Sequence, residues 1–376
     1  MAESTSLLFA AICALQLVGF VIAEALTRGE MMDSSAAAQA DLQTDSKAAK
    51  DFFGFIATAS LVITFAVQAI AYYGLSSSLG LSLVLITSLG SSLPNLLKMA
   101  YCSPRPYWAY EDVVAIACEK GWGNPSGHAL STGTVWLCVI VLLSFRGKWL
   151  WTGLAVLWIL LVGFDRVYLG VHFYSQVLLG WSFAAGIAGL YIYIWRLKGL
   201  GVEKYSFKST VLYHILAFLY GFVSVLIYVL RDPYWDATWS ERIDQKCDFS
   251  YSASKAQGDA FMETSIFAFF PGAVLGYALI QHLFPSFETT YLALKWRAIL
   301  IVVSALTLLL EGGICTFQPV QVSKAYLRSA PWGGWALTLG VSYLAGLLFA
   351  GAVPLLRLVF PVSKPSPLAK AVYDEQ

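Results

Sequence analysis

Charge is what this sequence has least of: of 376 residues only 12% are Asp, Glu, Lys or Arg, and the formal net charge is +1. With no long basic run in so neutral a chain, a nucleic-acid partner is excluded. Histidine is scarcer still, with four copies at His128, His172, His214 and His282. The six cysteines form no Cys-x-x-Cys pair and no cluster with histidine, which argues against a zinc site. No internal repeat or soluble domain is visible, and low complexity is confined to 35–50. The apolar stretch 6–23 has no basic residues before it and no convincing small-residue cleavage site after it, so it is not read as a signal peptide. The one Asn-x-Ser match, Asn124-Pro125-Ser126, has proline in the middle and is no glycosylation acceptor.

Apolar residues are abundant: 58% of the chain is hydrophobic and the mean hydropathy is +0.67. That is too apolar for a soluble protein of this size and reads as a polytopic membrane protein. Nine candidate spans follow, at 52–74, 79–97, 129–145, 149–164, 173–195, 211–230, 260–284, 298–316 and 334–356. In lipid the backbone must satisfy its own hydrogen bonds, so the expected fold class is all-α, a membrane helical bundle. Stretch 6–23 either crosses the membrane or lies along it, and polar 27–51 reads as an exposed loop or short helix. Residues 1–51 are therefore taken as an interfacial or extracytosolic N-terminal segment, 52–195 as the core, and 196–376 as further helices of the same domain.

Alternating spans put loops 98–128, 165–172, 231–259 and 317–333 on one face. The opposite face receives Arg146, Lys148, Arg196, Lys198, Lys204, Lys208, Lys295 and Arg297 in short connections with few acids, so the positive-inside rule makes it cytosolic. Cys13 and Cys138 lie in apolar runs and read as packing residues. Cys102, Cys118, Cys247 and Cys315 fall in or beside loops of the other face, where pairings such as Cys102 with Cys118 are open if that side is oxidising.

Three polar stretches share that face. The turn Asn124-Pro125-Ser126-Gly127-His128 opens into an apolar run. A Pro-Ser-Gly turn at a helix start leaves backbone N–H groups, here of Gly127, beside the Ser126 hydroxyl, ready for an anion, with His128 placed to pass a proton. Lys98 and Arg105, the latter held between Pro104 and Pro106, offer a point charge and a planar fork, a combination suited to a tetrahedral oxyanion. The third stretch, Asp165-Arg166 to His172, is followed one helical turn later by Gln176, which can hold one imidazole nitrogen and leave the other free.

Lys98-x6-Arg105-Pro106, Pro125-Ser126-Gly127-His128 and Arg166-x5-His172 together resemble the three signatures of the type 2 phosphatidic acid phosphatase superfamily, in order and in helical context. Within it the chain is most similar to the glucose-6-phosphatase branch, through Arg105-Pro106-Tyr107-Trp108, Cys118-Glu119-Lys120-Gly121, and His172-Phe173 with Gln176; Trp239, Glu241 and Cys247 add weaker support. The resemblance implies a metal-independent phosphoric monoester hydrolase without cofactor. His172 would attack phosphorus to form a phosphohistidine, and His128 would protonate the leaving alcohol and later activate water. Lys98, Arg105, Arg166, Ser126 and the Gly127 amide would hold the phosphoryl oxygens. Two positions depart from the usual superfamily pattern: Asp165 stands where Ser is usual, and Gln176 where Asp is usual. The second change is shared with the glucose-6-phosphatase branch; Asp165 is a candidate for orienting or balancing His172 or Arg166.

The implied substrate is a small phosphomonoester, foremost glucose 6-phosphate, with Tyr107, Trp108, Glu263 and Glu311 as candidate contacts. A lipid phosphatase acting on a sphingoid, prenyl or phosphatidate headgroup is the alternative, and a phosphate-binding transporter the reading from another class. The family also implies an endoplasmic reticulum membrane in a eukaryote, an inner membrane in a bacterium, lipid around the helices, and a sugar-phosphate transporter as partner.

Overall fold

The computed structural model describes residues 2–142, 148–198, 207–283, 298–302 and 331–351, and no strand occurs among them. The chain opens with a long helix, α1 (Ala2–Leu42), followed by α2 (Lys47–Ala69), which runs into a π-helical turn (Ile70–Leu75). Then come α3 (Ser77–Tyr101), a short α4 (Pro106–Ala109), α5 (Gly127–Leu142), α6 (Lys148–Tyr168) and α7 (Tyr174–Lys198). The remainder is α8 (Phe207–Leu230), α9 (Ala237–Lys246), α10 (Ala253–Glu263), a 3₁₀ turn (Thr264–Ala268), α11 (Phe269–Leu283) and α12 (Pro331–Gly351). Among the described residues, seven helices have the length and apolarity to cross a membrane, and Gly127–Val141 and Trp335–Gly351 are shorter apolar helices. Of the span expected at 298–316, only 298–302 lies among the described residues.

The polar stretch 27–51, expected as an exposed loop or short helix, is helical through Leu42, as the unbroken continuation of α1 and not as a separate short helix. Its helix-favouring Ala36-Ala37-Ala38 run sustains the backbone, and Ser35 and Gln39 turn inward and are buried. Residues i, i+4 and i+8 share one helix face. Ser35, Gln39 and Gln43 use that face to bond Tyr174 N (2.9 Å), His172 O (2.6 Å) and Tyr168 O (3.0 Å) respectively. Toward its start α1 packs against α7 through Cys13 beside Gly189 and Leu17 beside Gly186, with the Gln16 amide donating to Ser182 Oγ at 2.8 Å. The two helices thus run antiparallel, at small-residue contacts of the kind that bring membrane helices close.

The chain divides into two compact units. The first comprises 1–61, 90–199 and 224–264, and within it α1 and α5 both pack on α7, α6 packs on α5, and α4 on α9. The α4–α9 contact is an aromatic cluster: Trp108 lies 5.5 Å from Trp235 and 6.1 Å from Trp122, and Trp235 lies 5.4 Å from Trp239. Lys246 closes the loop after α4 by donating to the carbonyls of Tyr110, Glu111 and Val113 at 2.7–2.9 Å. Beyond it Cys247 is disulfide-bonded to Cys118. The pairing expected as available, Cys102 with Cys118, is therefore not the one formed. Cys102 is buried with its thiol on Met99 O, and Cys13 and Cys138 are buried free thiols; Cys315 lies outside the described residues.

In the second unit, 62–89, 200–223 and 265–376, α11 and α12 pack closely, and Tyr72, Tyr73, Leu81, Val84, Phe269, Phe270 and Phe349 fill one core. Tyr72 and Tyr73 donate their hydroxyls to the carbonyls of Ala350 and Phe349.

Candidate active site

All three motifs lie in the first unit. Lys98 sits in the last turn of α3, which ends where Cys102 adopts a left-handed backbone (φ 49°) and bonds Lys98 O at 2.9 Å. The turn throws the chain to Arg105, which precedes Pro106 at the first position of α4, where a missing N–H costs nothing. Arg105 is 1% exposed and pinned on every nitrogen. Its Nε donates to Gly121 O (2.9 Å), its Nη2 to Lys120 O (2.6 Å), and its Nη1 to Val171 O and Glu119 Oε2 (3.0 Å each). Ser126 caps α5, its Oγ accepting from Ala129 N at 3.4 Å, while its own N–H is held by Gln176 O at 3.0 Å. Gly127 and His128 follow as the first residues of that helix, whose leading N–H groups have no intrahelical acceptor. The peptide bond entering Pro125 is cis.

His172 is almost fully buried, and its tautomer follows from its partners. Nδ1 lies 2.7 Å from Gly123 O and 3.2 Å from Gln176 Oε1. The Gln176 amide nitrogen donates to Pro104 O at 2.9 Å, so its oxygen is the end turned toward the ring. With two acceptors at Nδ1, the proton resides there and the lone pair on Nε2. That lone pair faces Arg105 Nη1 at 3.4 Å. Burial, and then the Arg105 charge, push the His172 pKa well below the usual imidazole range, so the ring is neutral at neutral pH.

Arg166, 1% exposed, donates from Nε to Asp165 Oδ1 (2.6 Å) and from Nη1 to Glu119 Oε1 (2.5 Å), with His128 Nδ1 3.4 Å from the same Nη1. Glu119 therefore bridges the two arginines, and its Oε2 is 3.9 Å from His172 Nε2. Burial acts to raise the Glu119 pKa, and the charges of Arg166 and Arg105 overcome it, holding the carboxyl well below its usual range. Lys98 is 8% exposed and, among the described residues, its ammonium makes no hydrogen bond. It lies 3.9 Å from the point where a side chain on Gly127 would begin. Three cations and two imidazoles thus surround one small volume.

Of the residues singled out in the sequence, Lys98, Arg105, Ser126, Gly127, His128, Asp165, Arg166, His172 and Gln176 gather in this unit. Asp165 bonds Arg166 and not His172, and its Oδ2 has no partner among the described residues. Glu263, at the end of α10, is close enough to Lys98 for their charges to interact. Tyr107 and Trp108 have no exposed surface; Tyr107 donates its hydroxyl to Glu119 O at 2.7 Å, and Trp108 belongs to the aromatic cluster. Packing leaves neither ring a face for a substrate. Glu311 lies outside the described residues.

Sequence reading passed over six contributors. Glu119 was visible as an acid just before the turn. Gln39, Gln43 and Ser35 were visible as polar positions four apart. Asn124 donates to the buried Glu24 carboxylate of α1 at 2.9 Å. Gly123, whose carbonyl holds His172, gave no signal, since any residue has a carbonyl.

Residues 79–199 match the PAP2 superfamily. Glucose-6-phosphatase catalytic subunit 1 of Felis catus is 27% identical over 233 residues, 54% of this chain and 64% of the relative, and that of Bos taurus is 27% identical over 235 residues, 55% and 64%. Glucose-6-phosphatase 3 of Mus musculus is 34% identical over 141 residues, 32% of this chain and 40% of the relative. The chain thus matches a little under two thirds of the length of the first of these relatives. No solved structure matches it. Every motif residue from Lys98 to Gln176 falls inside the matched region, and the chain is a helical membrane protein that carries a PAP2 superfamily domain.

Proposed function

We propose that this chain is an integral membrane phosphatase that hydrolyses a small phosphomonoester, foremost glucose 6-phosphate, through a phosphohistidine. The observation that carries the reading is the neutral His172, its Nδ1–H held by Gly123 O and its Nε2 lone pair turned toward Arg105 beside Glu119. His172 Nε2 attacks phosphorus, the ester P–O bond breaks, and the leaving oxygen takes a proton from His128. Burial and the Arg166 charge push the His128 pKa down to about 3 in the empty site, so this proton is taken up with the phosphoryl dianion, whose charge opposes that shift. In the second half, neutral His128 removes a proton from water, the water oxygen attacks phosphorus, and the P–N bond breaks to return His172. Lys98, Arg105, Arg166 and the start of α5 stabilise the charge on the equatorial oxygens, the term on which phosphoryl transfer mainly depends. Asp165 and Gln176 act as positioning residues, on Arg166 and His172 respectively.

The positive-inside distribution supports an extracytosolic site. The disulfide Cys118–Cys247 supports it independently, since it adjoins Glu119 and persists in oxidising compartments. A reticulum lumen meets both conditions, and a soluble sugar phosphate made in the cytosol would then need a carrier to reach it. The test is phosphate release by purified protein from sugar and lipid phosphates in parallel, with rapid-quench trapping of labelled phosphate on His172. Release from hexose phosphate, with label lost in His172→Ala, is expected. Release from lipid phosphates alone selects the lipid phosphatase, and binding without release selects a transporter.

A further inference from the structure

The phosphoryl position inferred above is already occupied by part of the protein. Glu119 accepts from Arg105 Nη1 at 3.0 Å and from Arg166 Nη1 at 2.5 Å, with Oε2 3.9 Å from His172 Nε2. A phosphorus under attack must approach a nucleophile to about 3–3.5 Å, with its oxygens on nearby donors. Arg105 Nη1 is 3.4 Å from His172 Nε2, and Arg166 Nη1, on the other Glu119 oxygen, is 3.4 Å from His128 Nδ1. A phosphoryl group set between the two imidazoles would use these same guanidinium groups, so carboxylate and phosphoryl group exclude each other there.

The segment holding Glu119 is fixed from both sides. Its carbonyl accepts from Tyr107 OH at 2.7 Å, Cys118 is disulfide-bonded to Cys247, and Lys120 O accepts from Arg105 Nη2 at 2.6 Å. Gly121 N is bonded to Tyr251 OH at 2.5 Å. The backbone cannot swing away without breaking these contacts. The side chain can rotate, being 28% exposed where both arginines are 1%.

We infer that Glu119 is an internal anion competing with substrate for Arg105 and Arg166, and that a phosphomonoester binds by rotating the carboxylate out. This rests on the hydrolase reading, and it gives the site a selectivity that bare cations lack. In the empty state the carboxylate compensates Arg105, which has no other ion-pair partner among the described residues, and shares with Asp165 the compensation of Arg166. A dianionic monoester makes up that compensation with charge to spare. A monoanion, such as a phosphodiester or a sulfate ester, gains little over the carboxylate it displaces. Glu119 thereby favours terminal phosphate groups and also helps expel the product phosphate.

The test measures inhibition by inorganic phosphate, and its binding by calorimetry, on the purified full-length protein, wild type against Glu119→Gln and Glu119→Asp. Gln keeps the size and removes the charge; Asp keeps the charge but, from a fixed backbone, falls short of the arginines. Both variants are expected to bind phosphate about tenfold more tightly, the change corresponding to ~1.4 kcal/mol of relieved competition, and to accept a monoanionic sulfate ester such as methyl sulfate as an inhibitor where the wild type does not. Phosphate affinity unchanged or weakened in both variants, with the wild type still hydrolysing phosphomonoesters, overturns the inference and makes Glu119 a clasp that orders the arginines. A wild-type protein that neither hydrolyses phosphomonoesters nor binds phosphate overturns the hydrolase reading itself.

Discussion

Gly123→Ala is the substitution that most directly tests how His172 is held. A Cβ at this position would stand 2.6 Å from Pro104 O and 2.7 Å from both Gln176 amide atoms. None of these is the loose end of a mobile side chain, since the Gln176 amide is fixed by Pro104 O and Phe173 N. Restoring ordinary contact requires a separation of about 0.5–1 Å. Because the Gly123 carbonyl is the nearer acceptor of the His172 Nδ1 proton, that movement stretches the bond selecting the tautomer. Overpacking costs about 1–3 kcal/mol of stability, and a weakened buried hydrogen bond about 1–3 kcal/mol more in whichever state needs it. A displacement of this size at a nucleophile is expected to lower kcat roughly 10- to 100-fold. KM should change little, because the cations are untouched. The assay is steady-state phosphate release with thermal unfolding in detergent, beside Gly153→Ala, where an added methyl group meets nothing within 4 Å. A Gly123→Ala protein with kcat within twofold of wild type refutes the account of how the nucleophile is oriented.

Other expectations follow from contacts around the cradle. Asp165→Ala leaves the Arg166 Nε without its buried acceptor and should cost about 3–5 kcal/mol, read as a lower unfolding temperature; Asp165→Ser, with a short acceptor restored, should recover part of it. Gln39→Ala unpairs the carbonyl of His172 and takes one of two donors from that of Val167, which keeps Gly170 N, and should lower kcat about tenfold by releasing the loop that carries the nucleophile, at a stability cost of ~1–3 kcal/mol; unchanged kcat would show that α1 is only a scaffold. Stability should also depend on pH in a defined sense. His172, shifted down by burial and then Arg105, contributes stability that is complete above the ordinary imidazole value near 6.5 and is lost as pH falls toward its folded value. Glu119, shifted down by Arg166 and Arg105 against its burial, adds a second loss below about 4.5. His128, pushed down to about 3 by burial and then Arg166, contributes stability that is lost over the same range as that of His172. The unfolding temperature should fall on acidification from about pH 6.5, and His172→Gln should remove part of that fall, leaving the share due to His128.

The sequence by itself determined the class of fold and the chemical parts. Apolar runs of membrane length can satisfy their backbones in lipid only as helices, so composition and spacing were enough for α2, α3, α5–α8 and α11. The motif residues were legible for a similar reason, since a lysine, two arginines and two histidines are conspicuous in a chain with so little charge. Local pattern could not reach what depends on segments distant in sequence. The polar end of α1 read as an exposed loop or short helix because Ser35 and Gln39, and Gln43 just after it, look solvated until the loops they bond, more than seventy residues away, fold against them. Tyr107 and Trp108 were candidate substrate contacts beside the motif, yet both are fully buried, Trp108 against Trp235 just ahead of α9 and Tyr107 with its hydroxyl on Glu119 O. The cysteine pairing also waited on tertiary structure, since only the docking of 231–259 on the loop after α4 brings Cys247 to Cys118. Most consequential are Glu119 and Gly123, one an ordinary surface acid by sequence and the other a residue with no side chain. Each acquires its role because folding brings to it charges and donors that lie elsewhere along the chain.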